Sequence, residues 1–152
     1  MCGICGKITE NCLCKKCEKK LFSQAIFGKD NYKDQYFENH FYLFKYDGQI
    51  REKILDYKFN DKPYIFKTFV KFFEIYEKNY LHLDFYDIII PVPISKKRFK
   101  MRGYNQSTLL AKKMAKYLNT EYSDNILKKV INNNPQSILN QERSRKKCRK
   151  CI

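Results

Sequence analysis

Cys2 with Cys5 and Cys14 with Cys17 form two C-x-x-C pairs in the opening stretch MCGICGKITENCLCKKCEKK. In a zinc ribbon or knuckle, each such turn presents two thiolates to one tetrahedral Zn²⁺, and two turns close the coordination sphere. Gly3 and Gly6 suit the tight turns that bring backbone amides near the sulfurs. Lys7, Lys15 and Lys16 offset part of the double negative charge of four thiolates around a divalent ion. Cys12 is the surplus thiol, able to replace Cys14 only by distorting the second turn. A redox-active C-x-x-C is the competing reading, but that motif usually occurs singly beside a βαβ unit, and none adjoins this one. A segment this small is expected to fold around its metal, whose binding typically supplies on the order of 10–16 kcal/mol. The expected site is structural, with no open position for catalysis.

Seven cysteines in 152 residues raise the question of redox compartment. No apolar run reaches the roughly 20 residues needed to cross a bilayer, and cysteines stand where a signal peptide would place its apolar region. A cytoplasmic chain with clustered thiols points to metal rather than disulfides. Hydrophobic residues make up 43%, with 12 Phe and 12 Tyr, which excludes a disordered chain. The length excludes two large domains. A formal net charge of +15 attracts polyanions: nucleic acid, phosphorylated metabolites or acidic lipid.

After a zinc module over residues 1–22, residues 23–84 read as a connector and helical region. A polar loop at residues 28–34 precedes FYLFKY, which reads as a strand, with His40 a surface or strand-end residue. Tyr46-Asp47-Gly48 is a turn, and QIREKILDYKF places Ile50, Ile54 and Tyr57 on one helical face. Asn60, Asp61 and Pro63 mark a stop and a new start. Phe66, Phe69, Val70, Phe73 and Tyr76 then form a core-facing stripe. Its polar face, Lys67, Lys71, Glu74, Glu77 and Lys78, is too mixed in sign for a membrane-surface helix. His82, beyond the stripe, has no assigned role.

The stretch DIIIPVPISKKRFKMRGYNQ starts the second half. Residues 86–90 read as a central parallel strand, stopped by Pro91 and Pro93. Asn105 or Ser107 can cap a helix with Leu110, Met114 and Leu118 on one side and Lys112, Lys113 and Lys116 largely on another. Strand, basic loop, helix is the expected order, and in α/β sheets ligands sit beyond the carboxyl ends of strands. Lys96, Lys97, Arg98, Lys100 and Arg102 supply charge for phosphate or pyrophosphate, Gly103 allows close backbone approach, and Asn105 and Gln106 offer directional hydrogen bonds.

The double C-x-x-C, LFKYDGQIREKILDYKF, IIIPVPISKKRFKMRGYNQSTLLAKKMA and NNPQSILNQER occur in an order that resembles the ComF family, phosphoribosyltransferase-like proteins linked to competence and DNA uptake. The resemblance covers residues 1 to about 143. It implies an α/β fold: an N-terminal zinc ribbon followed by an incomplete type I phosphoribosyltransferase-like parallel-sheet domain, with the partial core at residues 85–143. It also implies that the basic segment receives the pyrophosphate of 5-phosphoribosyl 1-pyrophosphate (PRPP), with Mg²⁺ if a complete chain binds PRPP. Gln136 and Arg143 fall in the family's mobile hairpin, and DNA or the competence machinery is the implied partner. The chain departs from the pattern in lacking a strand that ends in two acids followed by Thr-Gly, the ribose and 5′-phosphate site. Asp84 and Asp87 precede a strand. Residues 144–152 form a basic tail with a third pair, Cys148 and Cys151, and loss of the reading frame near Arg145 is expected. The 152-residue chain is therefore expected to be catalytically incomplete. The alternative is a non-enzymatic zinc-ribbon module that binds nucleic acid.

Overall fold

The computed structural model describes residues 1–30, 37, 39–81 and 86–130. The positions His82, Asp84, Gln136, Arg143, Cys148 and Cys151 lie outside the described residues. The chain divides into two units, Met1–Phe85 and Tyr86–Ile152, and the described part mixes helices with short two-stranded sheets.

In the first unit, the second C-x-x-C runs directly into helix α1 (Lys15–Phe22), which starts at Cys14 and buries Cys17 and Leu21. Strands β1 (Gly28–Asp30) and β2 (His40–Tyr42) pair antiparallel, with Gly28 opposite Tyr42 and Asp30 opposite His40. The Tyr42 ring lies across the space a Cβ at Gly28 would take, so a larger residue there would displace the ring. His40 is an exposed strand-end residue. Helix α2 (Gly48–Phe59) follows the Tyr46-Asp47-Gly48 turn, and a 3₁₀ turn (Pro63–Ile65), with Pro63 at its start, leads into helix α3 (Phe66–Tyr76).

Cys2, Ile4, Leu13, Cys17, Leu21, Ile50 and Phe72 form one hydrophobic core, with Leu43, Phe44 and Ile54 packed against it. Residues 1–22 and the helical region thus share a core, and the cysteine segment is built into the unit. Of the expected stripe on α3, Val70, Phe73 and Tyr76 are buried and Phe66 and Phe69 half-buried. Thr68 and Phe72, outside that stripe, are also buried, because α3 packs on more than one face. Phe72 meets Phe44 edge-on at 5.2 Å, and Phe69 meets Tyr57 at 5.7 Å.

The corner between α2 and the 3₁₀ turn is held by Asp56, a buried carboxylate. It accepts hydrogen bonds from Asn60 Nδ2 (2.9 Å), Lys62 Nζ (3.0 Å) and Lys53 Nζ (3.2 Å). The Asn60 and Lys62 bonds outweigh burial and hold its pKa at about 2.

In the second unit, β3 (Ile88–Ile89) pairs in parallel with β4 (Glu121–Tyr122), Ile88 opposite Glu121 and Ile89 opposite Tyr122. Two helices lie between them in sequence, and the second, α5 (Gln106–Leu118), packs on both strands. Regular pairing covers only the middle of the expected strand over residues 86–90. The segment read as a basic loop is instead helix α4 (Lys96–Arg102). Its start and stop explain this: Ser95 Oγ accepts from Arg98 N at 3.4 Å, and Gly103 at φ 75° ends the helix in the left-handed region. The intervening KKRFKMR contains no glycine or proline and is largely lysine and arginine, which accept helical geometry readily. Asn105 caps α5 by accepting from Ser107 N at 3.1 Å, so Ser107 lies inside the helix. No described helix is long and apolar enough to cross a membrane.

Candidate metal centre and basic segment

The first knuckle is shaped by the backbone. Gly6 N donates to Cys2 O at 3.0 Å and Cys2 N to Lys7 O at 2.8 Å, with Gly6 at φ 76°, a conformation that favours glycine. The second pair takes its shape from α1: Cys14 precedes the helix, and Cys17 lies in its first turn. The sulfurs of Cys2, Cys5, Cys14 and Cys17 all fall within 4.8 Å of one another. Cys5 Sγ and Cys14 Sγ are 3.8 Å apart. A tetrahedral metal–sulfur bond of about 2.3 Å sets its thiolates about 3.8 Å apart, whereas a disulfide needs about 2.05 Å. The four cysteines thus form a cluster fit to hold a metal ion with every position filled by protein, a structural arrangement rather than a catalytic one.

Cys2 and Cys17 are buried, Cys14 is half-buried and Cys5 exposed. Burial opposes ionisation of Cys2, but amides of Cys5, Cys14 and Ile4, together with the Cys5 thiol, outweigh it and bring the Cys2 thiol down to about 6. Cys17 is pushed up to about 12, first by burial and then by the neighbouring thiols of Cys5, Cys14 and Cys2. Four thiolates at this spacing repel one another, and a divalent cation removes that conflict.

Cys12 is turned away from the cluster. Its Sγ lies 3.6 Å from Lys67 O, and burial raises its pKa. Its carbonyl accepts from Gly3 N at 2.9 Å and from Thr68 Oγ1 at 3.1 Å. Thr68 is fully buried, and its hydroxyl occupies the place a Cβ on Gly3 would take. The polar Thr68 on a buried helix face is therefore the element that docks both turns of the metal segment onto α3. Sequence periodicity skips it because its partner, Cys12 O, lies far away along the chain.

In the second unit none of the α4 residues is buried: Lys96, Lys97 and Lys100 are exposed, and Arg98 and Arg102 half-exposed. Gly103 follows, also exposed. Asn105 and Gln106, expected to face a ligand, engage the protein. Asn105 Nδ2 donates to Val92 O at 3.0 Å, tying α5 to the segment after β3, while its Oδ1 forms the cap. Gln106 is buried, and its Oε1 accepts from Arg102 Nη1 at 3.1 Å. The arrangement presents a short cationic helix with its final arginine tethered to the next helix. No protein-family model, curated protein or solved structure matches the chain, so these two constellations carry the functional reading.

Proposed function

We propose that the chain is a ComF-type, phosphoribosyltransferase-like protein in which a structural zinc ion staples the first unit and the basic segment of the second receives a phosphorylated ligand of the pyrophosphate or PRPP kind. The observation that carries the ligand reading is the order β3, cationic α4, capped α5, parallel β4, which puts the positive charge just beyond the carboxyl end of a parallel strand. Zinc is the metal of choice because four thiolates at tetrahedral spacing suit a borderline-soft ion with no geometric demand of its own. When bound, it holds the thiolates as ligands and leaves no site for substrate. Lys96, Lys97, Lys100 and Arg102 attract and orient the phosphates. Mg²⁺ enters only as the companion of PRPP. Neither β3 nor β4 is followed by a pair of acids able to hold ribose hydroxyls, so the described residues supply binding without oriented attack.

Calorimetry of the zinc-loaded chain with pyrophosphate and with PRPP tests this reading. Changing Lys97 and Arg102 together to Ala should weaken binding more than changing the tail pair Lys146 and Lys147. Equal losses would leave only a diffuse field. PRPP-dependent pyrophosphate release abolished by Arg102→Ala would show that ribose recognition comes from other residues.

The exposure of Lys7, Lys15, Lys16, Lys19 and Lys20 around the cysteine cluster favours a second reading, a ribbon that binds nucleic acid without catalysis. A steep fall of DNA affinity with salt, lost when these lysines are changed to Ala and unaffected by Arg102→Ala, supports that reading instead.

A further inference from the structure

We infer that Gln106 is a positioning residue: its buried side-chain carbonyl holds the Arg102 guanidinium beside the first turn of α5, so that the basic segment presents an oriented fork and not only a cloud of charge. The inference rests on the phosphate reading of that segment and names how its arginine is set. Arg102 is the last residue of α4, where the negative end of that helix favours a cation. Gly103, in the left-handed region, reverses the chain, and Gly103 N closes α4 by donating to Phe99 O at 2.8 Å. Two residues later the chain is pinned again by Asn105, whose Oδ1 accepts from Ser107 N and whose Nδ2 donates to Val92 O. Gln106 is thereby fixed as the first residue of α5, and its side chain, with only 6% of the residue exposed, meets Arg102 Nη1 at 3.1 Å.

Two features mark this as more than packing. A guanidinium brought to the start of α5 faces the positive end of a 13-residue helix, which repels it. A neutral amide acceptor anchors it there without cancelling its charge, whereas a carboxylate at the same place would form an ion pair and consume the charge an anion needs. The guanidinium is planar with five donors in a rigid fork, so holding one nitrogen restricts the orientation of the whole group. Lysines of α4 have no such tether to direction and act as point charges.

The test uses the full zinc-loaded chain, with pyrophosphate as the probe and calorimetry as the readout. Arg102→Ala should weaken binding about tenfold, the loss of one charge-assisted contact. Gln106→Met, close in volume but without an acceptor, should lose about fivefold in the parent chain and nothing further in the Arg102→Ala background. Gln106→Glu keeps the tether and the fold but neutralises the arginine, and should bind no better than Gln106→Met. A Gln106→Met chain that binds as the parent does, a loss of equal size with and without Arg102, or full affinity in Gln106→Glu overturns the role of Gln106 while leaving the phosphate reading intact. Absence of pyrophosphate binding in the parent chain overturns both. Should Gln106→Met melt below the assay temperature, the Gln106→Glu result in both Arg102 backgrounds decides the matter.

Discussion

The cysteine cluster of the first unit and the cationic segment of the second are both dense groups of chemically active side chains, yet they are held in opposite ways. Two of the four clustered thiols belong to the same core as Ile50 and Phe72, and the knuckle carbonyl of Cys12 is locked to buried Thr68. The α4 cations belong to a helix with no buried residue, capped by Ser95 before it and stopped by Gly103 after it, with Arg102 bonded to Gln106. A cysteine cluster tied into the core transmits any damage to the whole unit. A charged helix fixed at its ends tolerates changes along its length.

The largest expected effect tests the first half of that contrast. Removing the metal by chelation, or changing Cys17 to Ser, should unfold the first unit as a whole, because metal binding at such a site is worth on the order of 10 kcal/mol. Hydrogen exchange should rise through α2 and α3 as well as residues 1–22, and a rise confined to residues 1–22 would break the comparison. Elemental analysis should find one zinc per chain, retained in Cys12→Ser, whose thiol faces Lys67 O.

Next in size is Phe72→Ala, expected to cost about 3–5 kcal/mol in chemical denaturation, since Phe72 lies in the shared core against Phe44. A loss below about 1 kcal/mol would mean that the cysteine segment and the helices pack as separate layers.

Asp56 gives a pH test. Its folded pKa of about 2 lies below the unfolded carboxylate value of about 3.9. The stability it contributes is therefore present above pH 4 and lost as pH falls towards 2, amounting to about 2–3 kcal/mol. Asp56→Asn should lower stability at neutral pH and flatten the acid limb of the stability curve over that window. An unchanged acid limb would remove Asp56 from its place at the corner.

Lys100→Ala, in the exposed middle of α4, should be the mildest change. Stability should shift by less than about 0.5 kcal/mol, and pyrophosphate affinity far less than in Arg102→Ala. A larger loss at Lys100 than at Arg102 would sharpen the contrast in the other direction, making free charge matter more than tethered geometry.

What was legible in the sequence follows how local each signal is. The two C-x-x-C pairs, the turn before α2 and the Asn105 cap depend on neighbours within a few residues, and the structure places them accordingly. The helix α4 was masked by its own charge, although Ser95 and Gly103 flank it as cap and stop. Thr68 and the turn of Cys12 towards Lys67 O were unreadable because each makes sense only against a partner more than fifty residues away. Likewise, Asn105 is readable as a cap, but its second bond, to Val92 O, belongs to the tertiary fold. Strand β4, a two-residue Glu-Tyr segment, carries no periodicity to find.

The bond from Thr68 to Cys12 O spans 56 residues of chain, and this separation orders events during synthesis. A ribosome releases Cys17 well before Thr68, and chains fold from the N-terminus as they emerge. All four thiols are therefore in solution and able to capture an ion while the surface that will cover Cys2 has yet to be made. Docking of α3 comes afterwards, as the slower, non-local step. The four thiols are thus gathered on an open face, and the later helix covers the Cys2 side while Cys5 stays exposed.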